Sequence, residues 1–225
     1  MTDDMAPGTG QILFQAIDAF IDGLFASEDP VLENLHRRAA EAGLPEIAVT
    51  SGQGKLLYLF AKMIGARRIL EVGTLGGYSG IWLARAMPED GELITLELDR
   101  KHADFARRSF EEAGLMHKVC VLNGMALDLM SAIDTQFDLV FLDANKDQYP
   151  EYLIESARLL RPGGLLLADN VVRKGAVLDP PAQDMMAIGA ARFLEALSAS
   201  ADFESIVLQQ VGIKGHDGLA VALRL

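Results

Sequence analysis

From Arg67 onward the sequence alternates between short continuous apolar runs and amphipathic stretches, and this alternation restricts the possible folds sharply. The apolar runs are "RRILEVG", "GELITLEL", "KVCVLN", "FDLVFLD", "GGLLLAD", "FESIVLQQV" and "GLAVALRL". Between the early ones lie "SGIWLARAM", "RKHADFARRSFEEAG", "ALDLMSAI" and "YPEYLIESARLL", which read as helices. A strand that is apolar at every position must be covered on both faces, and crossover helices provide that cover. The last two runs are joined only by a short link around "GIKGHDG", which predicts a hairpin and an antiparallel edge. The expected fold is α/β: one doubly wound domain over residues 1–225 with seven strands, mostly parallel.

Helices precede the first strand. "GQILFQAIDAFIDGLFA" places Leu13, Ile17, Phe20 and Leu24 on one face, widened by Phe14, Ile21 and Phe25. So wide an apolar face calls for cover on two sides, one of them a second subunit, so a homodimer is expected. "DPVLENLHRRAAEAG" carries a cap at Asp29, a proline at the first helical position and Gly43 as its stop. Residues 11–48 thus read as a helical extension and residues 1–10 as disordered. A third helix is expected from Gly52 to Ile64.

Composition excludes several function classes. The formal net charge of −12 argues against a broad basic footprint for nucleic acid. The single cysteine, Cys120, rules out a disulfide framework and reads as a small core residue. No run of about 18 apolar residues indicates a membrane span, and the acidic "MTDDMAPGTG" is unlike a secretory signal. A cytoplasmic protein is expected. His36, His102, His117 and His216 show no metal-ligand spacing.

The first strand runs into Glu71-Val72-Gly73-Thr74-Leu75-Gly76-Gly77-Tyr78-Ser79 and then a helix. A dinucleotide fingerprint needs glycine at the third position, where this chain has Leu75. The loop suits a close-lying ligand without phosphates, and Glu71 would be unwelcome beside one. Glu97 ends the second strand, where a carboxylate can accept both ribose hydroxyls. An adenosine without phosphates that carries a positive centre is S-adenosylmethionine. The competing reading is a tight turn beside a solvated acid.

Asp143 closes the fourth strand and Asp169-Asn170 the fifth. If these strands are neighbours, about 5 Å apart, two carboxylates and an amide oxygen can meet at the carboxyl edge of the sheet. An all-oxygen set suits a hard cation such as Mg²⁺. Lys146 lies about one turn beyond Asp143, and a lysine beside a divalent cation gives up its proton more readily, so it can serve as general base. The alternative makes Asp143 a helix cap and Asp169-Asn170 an ordinary turn.

The stretches "ILEVGTLGGYS", "TLELD", "NGMALD", "FLDANKDQY" and "LLLADN" resemble the cation-dependent class I S-adenosylmethionine O-methyltransferases that include the catechol and caffeoyl-CoA enzymes, from about Val49 to the C-terminus. The resemblance implies a Rossmann-like methyltransferase sheet, metal ligands Asp143, Asp169 and Asn170, and Lys146 as base. It implies cofactor contacts from Val49, Glu71, Gly73, Ser79, Glu97, Ala126 and Asp143, with Met125-Ala126 against the adenine. The implied reaction is methyl transfer to one hydroxyl of a small phenolic acceptor with two adjacent hydroxyls. Two other activities compete: tRNA hydroxyuridine methylation on the same fold, weakened by the acidity, and a nicotinamide-dependent oxidoreductase, disfavoured by Leu75. A pocket without turnover is a third. Arg173 and Lys174 after Asn170 could favour an anionic substrate or could form a solvated loop. Lys214 and His216 receive no role.

Overall fold

The computed structural model describes residues 9–225. Of the segment expected to be disordered, residues 1–8 lie outside the described residues, while Thr9 and Gly10 open helix α1 (Thr9–Phe25). Helix α2 (Pro30–Glu41) starts where Asp29 accepts the Leu32 N–H at 3.1 Å, and Gly43 beyond it takes a positive φ of 67°. Helix α3 (Ser51–Met63) starts one residue earlier than predicted because Thr50 and Gln53 form a reciprocal capping box.

The sheet is built from β1 (Arg68–Val72), β2 (Glu92–Glu97), β3 (Val119–Asn123), β4 (Phe137–Leu142), β5 (Leu160–Ala168), β6 (Phe203–Gly212) and β7 (Gly215–Arg224). Their order is β3-β2-β1-β4-β5-β7-β6, with β1 to β5 parallel and the β6–β7 hairpin antiparallel at one edge. This is the doubly wound seven-stranded sheet that the apolar runs predict. The crossovers carry α4 (Tyr78–Ala86), α5 (Arg100–Glu112), α6 (Ala126–Ser131) and α7 (Tyr149–Leu159).

Strand β1 shows why its run is continuously apolar. Ile69 packs into the core beneath α3, α4 and α5, while Leu70 packs into the opposite core with Tyr149, Tyr152 and Phe193. Both are fully buried, each contributing about 1.5–3 kcal/mol relative to an exposed side chain.

One expectation fails, and one helix lacks a periodic signal in the sequence. Cys120 is exposed, because β3 is an edge strand covered on one face only: Val119 and Val121 are buried while Cys120 between them faces solvent. Helix α8 (Met185–Ala199) was not foreseen, since its small residues, "MMAIGAARFLEALSA", blur any polar stripe. Its start is nonetheless marked by Asp184, which accepts the Ala187 N–H at 3.0 Å. The wide apolar face of α1 stays exposed in the single chain, with Phe20 at 68% and Phe25 at 69%.

Candidate active site

The order reversal between β1 and β4 opens a crevice at the carboxyl ends of the strands. A cavity of about 1040 Å³ occupies it. Its wall includes Val49, Gly73, Ser79, Glu97, Ala126, Asp143, Lys146 and Asn170 of the residues singled out from sequence.

The loop after β1 is shaped by two close approaches. A Cβ on Gly73 would lie 2.2 Å from the Asp143 carbonyl oxygen, so only glycine lets the ends of β1 and β4 meet here. Leu75 adopts a left-handed φ of 47°, and the N–H groups of Thr74 and Leu75 both point at Glu97 Oε2, at 3.2 and 2.8 Å. The Glu97 carboxylate is thus fixed at the loop from both ends, its Oε1 accepting the Asp99 N–H at 2.9 Å.

Glu71 is not on the cavity wall. It lies beneath the loop, fully buried, and accepts hydrogen bonds from Ser79 Oγ and Thr95 Oγ1, each at 2.6 Å. Burial pushes its carboxyl up to about 7, against the pull of those two hydroxyls. Its visible task is to hold Ser79 and the start of α4 in place.

Across the crevice, β4 and β5 pair with Leu142 opposite Ala168, so Asp143 and Asp169-Asn170 leave the sheet side by side. Tyr149 ties the two ends together, its hydroxyl 2.9 Å from the Leu142 carbonyl and 3.0 Å from that of Asp169. Asp143 and Asn170 line the cavity; Asp169 sits just behind, 3% exposed, with Gln53 Nε2 3.4 Å from its Oδ1. Burial raises the Asp169 carboxyl well above its usual range, and the neighbouring Asp143 charge raises it further.

Lys146 reaches back from a 3-10 turn (Lys146–Gln148), its Nζ 2.7 Å from Asp143 Oδ1. The lysine is 7% exposed. Helix α8 backs this turn closely: a Cβ on Gly189 would fall 2.2 Å from the Lys146 carbonyl oxygen, and Met186 Sδ accepts the Lys146 N–H at 3.2 Å.

Among the described residues no three His, Cys, Asp or Glu side chains gather around one point. The candidate cation set therefore depends on the Asn170 amide. It is an all-oxygen set in which one buried carboxylate strains against another, with one lysine as counter-charge, and it fits a hard divalent ion.

Sequence reasoning missed other contributors. Met186 was hidden with α8. His102, to which the sequence assigns no ligand role, lines the cavity, its Nδ1 3.7 Å from Glu97 Oε1. Asp217 Oδ1 accepts the N–H groups of Val172 at 3.0 Å and Arg173 at 2.9 Å, fixing the loop that follows Asn170. Its only signal was the "HDG" stretch in the last hairpin.

A doubly wound sheet in this strand order, with a glycine loop after β1, an acid ending β2 and acids ending β4 and β5, defines a methyltransferase-type domain. Residues 23–225 match the O-methyltransferase family, and the chain belongs to it. A catechol O-methyltransferase of Niastella koreensis is 43% identical over 94% of this chain and 97% of its own length. The Streptomyces achromogenes O-methyltransferase TomG, solved with SAM, superposes with a TM-score of 0.91 at 44% identity, covering 95% of this chain and 98% of that one. A Bacillus cereus O-methyltransferase solved with SAH gives 0.92 at 40% identity, over 95% and 99% of the two chains.

Proposed function

We propose that this O-methyltransferase takes its methyl group from S-adenosylmethionine and transfers it, with a divalent cation, to a small aromatic acceptor bearing two adjacent hydroxyls. One observation carries the proposal: the Gly73 loop and the Asp143–Lys146 pair adjoin on the lining of one cavity, so a donor on the loop would lie beside an acceptor at the strand ends. The relatives named as catechol O-methyltransferases and the neighbours solved with SAM or SAH support it.

The donor would lie over Gly73, with its ribose at Glu97 and its adenine against Met125 and Ala126. The loop N–H groups hold the Glu97 carboxylate ready, which lowers the cost of ordering it on binding. Asp143, Asp169 and Asn170 would hold the cation. When bound, such an ion acts as a Lewis acid that eases loss of the acceptor's proton. Lys146, in its neutral form, would take that proton at Nζ, the atom that Asp143 holds in place. Adjoining donor and acceptor positions would then align oxygen, methyl carbon and sulfur, an effect able to supply roughly 7–11 kcal/mol at best.

No described helix is long and apolar enough to cross a membrane. A cytoplasmic homodimer acting on a small molecule is the setting we propose. The test is a mass-shift screen of phenols with S-adenosylmethionine and Mg²⁺. A gain of one methyl on vicinal diols, absent in Lys146→Ala, is expected; methylation of lone phenols alone would sink the proposal.

A further inference from the structure

The reading above leaves two cations of the cavity wall without a task. Arg173 follows Asn170 by three residues and lines the cavity. Its Nε is buried with no hydrogen-bond partner, and no carboxylate within ion-pair distance of it is found among the described residues. The backbone there is left-handed, φ 54°, and is held so by the hydrogen bond from its own N–H to Asp217. A strained loop thus presents an unanswered guanidinium to the cavity.

Lys214, at the β6–β7 turn, lines the same cavity. Its stem is exposed, while its Nζ folds under the segment before α3 and donates to the carbonyl oxygens of Ile47 and Ala48. Partial burial of the ammonium lowers its pKa, while Asp143 and Asp169 pull the other way. The hairpin tip and the Arg173 loop abut, since a Cβ on Gly215 would lie 3.9 Å from Lys174 Cε.

The acids nearby are engaged elsewhere. Asp143 is paired with Lys146, Asp169 lies against Gln53, and Glu97 is held by the loop across the cavity. A guanidinium and an ammonium lining one cavity, neither with an ion-pair partner among the described residues, match a carboxylate, which a guanidinium can bind through two parallel hydrogen bonds.

We propose that Arg173 and Lys214 form a carboxylate subsite, so the favoured acceptor is a dihydroxylated aromatic acid and not a neutral catechol. This rests on the function proposed above for the same cavity.

The test compares 3,4-dihydroxybenzoate with its methyl ester, which keeps the diol and removes the charge. Calorimetric binding in the presence of Mg²⁺ and S-adenosylhomocysteine is measured alongside turnover, for the native chain, Arg173→Gln and Lys214→Met. The acid is expected to bind about ten- to a hundredfold more tightly than the ester, the range for a hydrogen bond to a charged group, and each variant narrows that gap through KM. Lys214→Met sits on an exposed turn, so it decides the matter even if Arg173→Gln fails to fold. Equal binding of acid and ester, or an unchanged gap in the variants, overturns the subsite. Methylation of both without preference would defeat the subsite and leave the proposed function standing. Tighter binding of the acid with no methylation of either would do the reverse.

Discussion

Lys146 and Glu71 show how differently two buried ionisable groups can serve one site. Lys146 ends at the cavity wall against Asp143, so its amine is in reach of an acceptor's proton. Lys146→Ala should lower kcat by about 10²–10⁴, the usual worth of a positioned base, while calorimetry finds S-adenosylhomocysteine binding intact. Loss of binding as well would mean that the lysine shapes the pocket instead. Glu71 has its effect on stability. Its carboxyl titrates at about 7 when folded against 4.5 ordinarily, so the folded chain holds that proton more tightly than the unfolded one. Stability from this group is therefore full below the unfolded value and falls as pH rises between the two. At about 1.36 kcal/mol per unit the loss is on the order of 3 kcal/mol as an upper bound. Glu71→Gln should flatten the fall, measured as urea midpoints at about pH 5 and pH 8; a parallel slope in the variant would remove Glu71 as its source.

Among the elements, α8 bears on the site by backing the Lys146 turn. It seats Gly189 against the Lys146 carbonyl, where no Cβ fits. Gly189→Ala should destabilise by about 1–3 kcal/mol through overpacking and should lower kcat by displacing the Lys146 turn. Thermal melting and steady-state rates check both, and an unchanged rate would separate α8 from the site. This helix was also the least legible part of the fold. The strands could be read because a buried parallel strand leaves an unbroken apolar run, which no polar face dilutes. Helix α8 offers alanine and glycine in place of a stripe, so periodicity gave no signal although Asp184 marked its start. The site divided in the same way. Acids at strand ends are legible because a strand's last residues must emerge at the sheet edge, and the structure places Glu97, Asp143 and Asp169 at the ends of β2, β4 and β5. Asp217 and Met186 act through tertiary contacts more than 40 residues and 40 residues away in the chain, which spacing alone does not reveal. The exposure of Cys120 depends on β3 lying at the sheet edge, a matter of strand order and not of composition.

Taken as a whole, the protein leaves two neighbouring apolar surfaces open. Helix α1 exposes Phe20 and Phe25, and edge strand β6 exposes Ile206 and Leu208 on one face. The proposed homodimer would cover α1, and α1 touches β6. Phe20→Glu with Phe25→Glu should give a monomer in sedimentation velocity where the native chain gives a dimer; a native monomer would refute the assignment. Residues of one chain line the cavity, and in the function proposed its chemistry depends on the cation that Asp143, Asp169 and Asn170 would hold. The most direct measurement is the initial rate of methyl transfer from S-adenosylmethionine to a catechol as Mg²⁺ is added to chelator-stripped enzyme. A rate that starts at background, saturates with Mg²⁺ and disappears in Asp169→Ala is the predicted result. Full turnover in the presence of excess chelator would contradict it.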